Sequence, residues 1–512
     1  MTFDDVVKVA LVGTARSGGA GSGQPLLGGA LGEAMASVKP DGAEAKLLSD
    51  AALLAAYEAC GRVPAVAPAK PAPASADVMP TCSPRAADLL GTLLAMTNAP
   101  TKRRLVAEWL DHAAQARQRV PHAWLPQLLE YGASVVTLRS QIARAVDARG
   151  HWLMGLNPRW HYGIGEVDDP RQAWATGTAA ARAAAIRRLR DSDPGAAREL
   201  VASTWAEDGA DERTAFVEAM ATGLSLADEP FLEAALDDRS RPVRAAAAER
   251  LARLPQSGFT TRMRARAEAI VRIIPAAKGG LLKRGKPAAI EVSLPAKLDP
   301  AWQRDGIVEK PADRIGQKQW WAQQVIAHVP PAHWSALWQM DPSHCIAAAA
   351  GDHRDLLLRA WTEASGRHPD AKWAGALLLT KSRGDRDPLP VQLLNGLPSP
   401  AQLALATALL EAPGLSFDQV SQVIGAADFP FDRHLTHAAL AQLDRHAAAT
   451  KGRYDYGLQP LLDGIALRVP PTMYDELSTR WSGAFWDANR RAVDGSLATL
   501  LIRRDIQREF AT

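Results

Sequence analysis

Apolar residues recur every three to four positions along most of this 512-residue chain, and polar or charged residues fill the positions between them. This spacing places apolar side chains on one face of a helix, whereas the strict alternation that marks strands is scarce. Ala, Leu, Arg and Glu, which favour helices, dominate the same stretches. The pattern therefore predicts an all-α protein.

The clearest pattern lies at residues 237–255, where an acidic turn precedes Pro242 and a run of apolar residues at helical spacing. Proline is tolerated in a first helical turn, and the apolar stripe needs stacked neighbours to bury it. A similar phrase carries Pro194, 48 residues before Pro242. That offset is close to the roughly 40 to 47 residues of HEAT and armadillo repeats. We predict a HEAT/armadillo-like α-solenoid of irregular helical hairpins with an ordered loop insertion.

Breaks in the helical pattern divide the chain into six segments. They are an N-terminal helical segment at 1–61, an Ala/Pro-rich linker or extended surface crossing at 62–83, a helical region at 84–170, HEAT-like repeats at 171–277, an inserted loop at 278–316 and C-terminal helical repeats at 317–512. The inserted loop contains a β-like phrase at 289–294. Val-Pro pairs at 120, 329 and 469 predict a recurring corner between helices, because proline ends one helix and suits the start of another.

Composition narrows the class of protein. The 47% hydrophobic and 22% charged residues are typical of a globular chain, and a net charge of +3 does not by itself indicate a polyanion partner. Three separated cysteines give no disulfide framework. Asp4 and Asp5 do not suit a secretory signal, and no apolar run approaches the roughly 20 residues of a membrane span. We predict a cytoplasmic location.

Possible catalytic and ligand motifs lack their decisive residues. The glycine-rich stretch 11–23 has no Gly-Lys-Ser/Thr, and the kinase-like phrase at 353–356 has Ala360 in place of the metal-binding Asn. The histidines around Cys345 match no paired zinc-ligand spacing. No catalytic residue, cofactor or metal ligand is therefore predicted, and an enzyme remains only as an unlocated pocket among the Trp-rich corners.

Charge is concentrated at residues 239–286, which hold thirteen Lys and Arg residues against two Glu. On stacked helices such an excess would form a surface for an acidic protein or for nucleic-acid phosphates, whereas a merely solvated arginine-rich face is the third interpretation. The candidate partner-binding residues are Arg241, Arg244, Arg264, Lys283, Arg284 and Lys286.

Three phrases, LVGTAR at 11–16, RGHWLMGLNPRW at 149–160 and WQRDGI at 302–307, resemble a bacterial family of unknown function with helical-repeat architecture. The resemblance covers most of the chain. Its motif residues are Gly13, Thr14, Arg16, Trp152, Asn157, Pro158, Trp160, Asp305 and Gly306. Members of that family are often encoded beside a MoxR-type AAA+ ATPase, a von Willebrand factor A domain protein and a SWIM zinc-finger protein. The resemblance implies an accessory role in an ATPase-centred assembly and supplies no catalytic residues.

These observations together predict a non-catalytic α-solenoid scaffold or adaptor that binds other proteins, among them the ATPase or the A-domain protein. The alternative is a nucleic-acid-binding helical-repeat protein that uses the basic face at 239–286. Neither function involves a membrane. Phosphate binding would depend steeply on salt, whereas a mainly apolar protein interface would not.

Overall fold

The computed structural model describes residues 3–14, 29–60, 71–163, 170–277, 286–311, 315–382, 388–450 and 452–511. Within them, it contains 29 α-helices, five short 3₁₀ helices and one two-stranded sheet. The prediction of an all-α fold is confirmed. The chain divides into two compact units, Met1–Ala74 and Ser75–Thr512.

The smaller unit contains α1 Phe3–Val12, α2 Ala30–Ser37 and α3 Ala43–Cys60. Val6, Leu31 and Leu54 form its core. Gly13 ends α1 in the left-handed region, with φ 91°, which glycine adopts without steric cost.

The larger unit begins with α4 Pro84–Ala95, α5 Ala99–Gln115, α6 Leu125–Ser134, α7 Arg139–Ala145 and α8 Asp147–Leu156. It continues with α9 Pro170–Thr176, α10 Ala179–Ser192, α11 Pro194–Thr204, α12 Ala210–Ala219, α13 Glu229–Ala235, α14 Arg241–Ala252 and α15 Gly258–Ile270. The strands β1 Val271–Ile274 and β2 Ala289–Val292 pair antiparallel, so the β-like phrase does form a strand.

Helix α16 Pro300–Arg304 follows the sheet. The remaining helices are α17 Gln317–Ala327, α18 Pro331–Trp338, α19 Pro342–Ala348, α20 Arg354–Arg367, α21 Ala371–Ser382, α22 Gln392–Asn395, α23 Ser399–Glu411, α24 Phe417–Ala426, α25 Arg433–Thr450, α26 Leu458–Ala466, α27 Tyr474–Arg480, α28 Ala484–Ala488 and α29 Arg490–Glu509. The 3₁₀ helices are His122–Trp124, Val136–Leu138, Pro158–Gly163, Leu226–Asp228 and Pro471–Met473.

Helices of the larger unit pack largely on helices two places away along the chain. Helix α10 contacts α12, which contacts α14, and the same step recurs from α15 to α17 and from α21 through α23 to α25. Each amphipathic helix thereby buries its apolar stripe against the next layer. The larger unit is therefore a solenoid-like stack of helices.

Buried arginine–aspartate pairs join successive layers of this stack. Arg190 of α10 and Asp228, both with fully buried side chains, meet at 2.8 Å, and Arg213 of α12 binds Asp238 before α14 at 2.8 Å. Burial alone would raise the pKa of Asp228, but hydrogen bonds from Arg190 and from the Ser225 N–H hold it below its ordinary value. Many arginines of this chain are thus used inside the fold.

The predicted Val-Pro corners all occur between helical elements. Val120, Val329 and Val469 are each fully buried. In each corner the carbonyl of the following proline accepts the N–H three residues further on, at 2.9 to 3.0 Å. The valine therefore anchors the corner while the proline sets the direction of the next helix.

The last helix packs on the first helices of the same unit. Arg503 of α29 forms an ion pair with Glu108 of α5 at 2.7 Å, and the Ser83 hydroxyl donates to Glu509 at 2.6 Å. Trp109 and Phe510 meet edge to face with 5.2 Å between ring centroids. These contacts join residues 395 to 426 positions apart.

The end of the Ala/Pro-rich segment crosses this region in extended form. Asp147, at φ 53°, accepts the N–H groups of Val78 and Met79 at 2.7 and 2.6 Å. Pro80 and Cys82 exchange backbone hydrogen bonds with Arg119 on both sides of an isolated bridge. Residues 77–82 are therefore held as a strap on the surface of the larger unit.

Candidate docking cleft

An open cleft lies between α14 and the loop that follows α16. Its volume is about 430 Å³. The lining residues are Arg241, Arg244, Ala245, Gln303, Gly306, Ile307, Val308, Glu309 and Lys310. The cleft therefore brings together two of the predicted basic residues and three residues of the WQRDGI phrase, Gln303, Gly306 and Ile307.

Helix α14 supplies the basic wall of the cleft. Val243, Ala247 and Leu251 face the core and are fully buried, whereas Arg241 is exposed and Arg244 is half-buried at the edge of this apolar stripe. Arg244 donates to the carbonyl oxygens of Asp238 and Arg239 at 2.7 and 3.2 Å. Arg244 is fixed by neutral acceptors, so its charge is not cancelled.

Asp305 holds the wall of the cleft that faces α14, which is the loop after α16. Its side chain is almost fully buried and accepts hydrogen bonds from Arg262 at 3.0 Å and from Arg304 at 3.2 Å, and it pairs with Arg266 at 2.7 Å. Arg304 also forms a two-pronged pair with Asp237 at 2.7 and 2.8 Å. The Asp237 hydrogen bond raises the pKa of Arg304 and lowers that of Asp237. Asp305 therefore joins α15 and α16.

Gly306 lets the loop lie directly against α14. Its φ is 87°, and a Cβ added there would stand 2.8 Å from the Cβ of Ala248. Any larger residue would both strain the backbone and push the loop away from the helix. Glycine at this position sets the width of the cleft.

Helix α17 holds the far end of the loop. Gln324 accepts the Val308 N–H at 2.8 Å and donates to the Val308 carbonyl at 3.0 Å. The indole of Trp321 donates to the Glu309 carbonyl at 2.8 Å. The loop is therefore fixed in place before any ligand binds.

The structure separates the other candidate basic residues from this cleft. Arg264 donates to the Pro255 carbonyl at 2.9 Å and does not line it. Lys286 exchanges backbone hydrogen bonds with Ala277. Lys283 and Arg284 lie outside the described residues. Of the candidate basic residues, Arg241 and Arg244 therefore line the cleft.

Several arginines in the basic stretch are paired within the fold. Arg262 and Arg266 bind Asp305, and Arg253 pairs with Glu249 at 3.2 Å. Burial lowers the pKa of Arg250. A count of charges along the sequence therefore overstates the positive charge that this surface offers.

The remaining family phrases lie in structural turns. Thr14 donates to Glu44 in the smaller unit, a hydrogen bond that lowers the pKa of Glu44. Arg16 lies outside the described residues. Trp152 is part of α8, and Pro158 opens the next 3₁₀ helix.

Asn157 and Trp160 hold that 3₁₀ helix in place. The Asn157 side-chain oxygen accepts the Arg159 N–H at 3.1 Å, and the Asn157 backbone carbonyl accepts the Trp160 N–H at 2.8 Å. The Trp160 indole donates to Glu130 of α6 at 3.0 Å. The Asn-Pro-x-Trp phrase therefore closes a turn onto α6, whereas Gly306 and its neighbours shape a surface.

Possible metal ligands do not converge in the described part of the chain, where no group of three or more His, Cys, Asp and Glu side chains could hold an ion. The His328 Nδ1–H donates to the Gln324 carbonyl at 2.7 Å. Burial lowers the pKa of His328 to about 4 and raises that of the Cys345 thiol to about 11. Among the described helices, none has the length and apolar character needed to cross a membrane.

Sequence reasoning missed Glu309 and Lys310, which complete the cleft. They lie beyond both the basic stretch and the WQRDGI phrase, although Lys310 follows that phrase by only three positions. Gln303 was also missed, although it lies within the phrase. The only available signal was this closeness in sequence, because nothing local shows that the loop returns to α14.

Comparison with known proteins gives a family and no function. No curated protein matches the chain, and no solved structure does. The model of a family of unknown function, DUF5691, matches residues 5–510, and the chain therefore belongs to that family.

Proposed function

We propose that this protein is a non-catalytic α-solenoid scaffold or adaptor that binds another protein at the cleft between α14 and the loop after α16, residues 305–310. The observation that carries the proposal is the contrast between paired and unpaired cations. Most arginines near the cleft are held by carboxylates, whereas Arg241 and Lys310 have no ion-pair partner among the described residues. Unpaired charge on a rigid, open surface suits docking.

The lining of the cleft also favours docking over catalysis. Its described residues include no Ser, Cys, Thr or His, so they offer no hydroxyl, thiol or imidazole nucleophile. Glu309 is the one carboxylate among these residues. A surface of guanidinium, ammonium, amide and backbone groups is suited to recognition.

The family resemblance adds a class of partner to this proposal. It favours HEAT-like hairpins and a MoxR-type ATPase or a von Willebrand A-domain protein as the partner, in the cytoplasm. Stacked helical hairpins supply an extended surface without a reactive centre, which is what an adaptor in such an assembly needs.

Nucleic acid is the weaker candidate. Tracking a phosphate backbone needs a row of available cations, and Arg262, Arg266 and Arg304 are committed to carboxylates. Arg241, Arg244 and Lys310, which have no ion-pair partner among the described residues, border a single cleft rather than form a row. A protein partner therefore fits the available charge better.

The test is capture of partners from the native cell with the tagged protein, with and without nuclease, followed by mass spectrometry. The variant Arg241→Glu/Lys310→Glu is compared with Arg187→Glu/Arg188→Glu, which makes the same charge change at exposed positions of α10. We expect the cleft variant alone to lose a nuclease-resistant ATPase or A-domain partner. Equal capture by both variants, or loss of all capture after nuclease, would refute the proposal.

A further inference from the structure

We propose that the cleft is a carboxylate-binding site that recognises an acidic segment, rich in Asp and Glu, of the partner protein. This inference rests on the proposed docking function and specifies the chemistry of its ligand. It comes from the charge balance, the free donors and the size of the cleft.

The cleft carries a net positive charge after internal pairs are subtracted. Arg241, Arg244 and Lys310 line it, and Glu309 is the only acidic residue among the lining residues. The nearest buried acid, Asp305, is already surrounded by three arginines and does not cancel the charge of the rim. A ligand of negative charge is therefore favoured.

Hydrogen-bond donors exceed acceptors on this surface. The Arg241 guanidinium, the Lys310 ammonium and the backbone N–H groups of Glu309 and Lys310 have no partner within the described residues. The facing carbonyl of Glu309 is used by the indole of Trp321. A carboxylate accepts hydrogen bonds through two oxygens and matches the planar fork of arginine.

Arg244 and the backbone of the loop are already in place, which lowers the cost of binding. Arg244 is held by two carbonyls, and Gln324 fixes the loop on both sides of Val308. A rigid site loses little conformational entropy when it binds. These hydrogen bonds thus hold the loop that forms one wall of the site.

The size and rim of the cleft favour carboxylates over a polyphosphate chain. A volume of about 430 Å³ accommodates a few side chains of an extended peptide. Glu309 on the rim would repel a continuous row of phosphates, whereas a peptide can place neutral residues beside it. Two acidic side chains, one near Arg241 and one near Lys310, fit this arrangement.

The experiment measures fluorescence anisotropy of labelled hexaglutamate with the full chain, with hexaglutamine as the neutral control. We expect binding of hexaglutamate only, weakening as NaCl rises from about 50 to about 500 mM because exposed charges are screened. Arg241→Gln/Lys310→Gln should weaken binding about ten- to a hundredfold, and Arg187→Gln/Arg188→Gln should not.

Several outcomes would overturn the inference. They are absence of hexaglutamate binding, equal weakening by the two double variants, or a phosphoserine peptide of equal length that binds far more tightly at the same cleft. If partner capture depends on the cleft while hexaglutamate does not bind, the docking function stands and the carboxylate chemistry falls. If hexaglutamate binds but no partner is captured through the cleft, the docking function falls instead.

Discussion

Replacement of Asp305 by Asn is the sharpest test of how the cleft is built. The Asp305 side chain is 2% exposed and contacts three guanidinium groups. Arg262 and Arg304 have further carboxylate partners in Glu233 and Asp237, whereas no second carboxylate is paired with Arg266 in the described residues. The substitution therefore leaves one largely buried cation without an acid.

The expected loss follows from this difference between the three arginines. Breaking a buried ion pair by removing one member costs about 3–5 kcal/mol. Because two of the three arginines keep a carboxylate, we expect the lower end, about 3 kcal/mol, in the free energy of unfolding. Urea denaturation followed by circular dichroism at 222 nm measures it, with the free energy taken from midpoint and slope.

Two further variants make the result decisive. Asp475→Asn removes a carboxylate whose side chain is 85% exposed and pairs with Arg504, and it should leave stability unchanged within error. Asp305→Asn/Arg266→Leu removes the orphaned cation and should be more stable than Asp305→Asn alone. A loss below about 1 kcal/mol for Asp305→Asn, or a double variant no more stable than Asp305→Asn, would refute the assignment of Asp305 as the anchor.

Three other substitutions test neighbouring features. Gly306→Ala should destabilise the protein more than Gly483→Ala in urea denaturation, because both positions have positive φ but only Gly306 faces Ala248 at 2.8 Å; equal losses would contradict this. Burial lowers the pKa of His328 from 6.5 to about 4, so the unfolded chain takes up this proton at a higher pH than the folded protein does. Between pH 7 and pH 5 the free energy of unfolding of the wild type should therefore fall by about 2 kcal/mol more than that of His328→Gln. Asp147→Ala should speed hydrogen exchange at Val78 and Met79, whereas unchanged exchange would show that other contacts hold the strap.

Local features of the fold were predictable from the sequence because they depend on local chemistry. Helical periodicity identifies the all-α class, and Gly13 and the Val-Pro pairs mark ends and corners of helices. The phrase at 289–294 contains strand β2. None of these features requires knowledge of which distant segments meet.

Long-range pairing could not be predicted in the same way. Arg503 and Glu108 meet although 395 residues separate them, and neither has a neighbour in sequence that indicates the other. The loop after α16 lies against α14 because Gly306 has no side chain, and the contacts of Asp305 with α15 hold the start of the loop. The sequence therefore predicted Arg241 and Arg244 as binding residues of the cleft, but it did not predict that this loop faces them.

Counting arginines along a sequence is a poor guide to a binding surface, because arginine serves two purposes here. At Arg190 and Arg262 it ties one layer of helices to the next, and a buried carboxylate consumes its charge. Arg241, by contrast, has no ion-pair partner in the described part of the chain. The informative quantity is the charge left after every buried carboxylate has taken its partners, since only that remainder is available to a ligand. Around α14 the remainder is small and localised, which favours a short acidic segment over an extended polyanion.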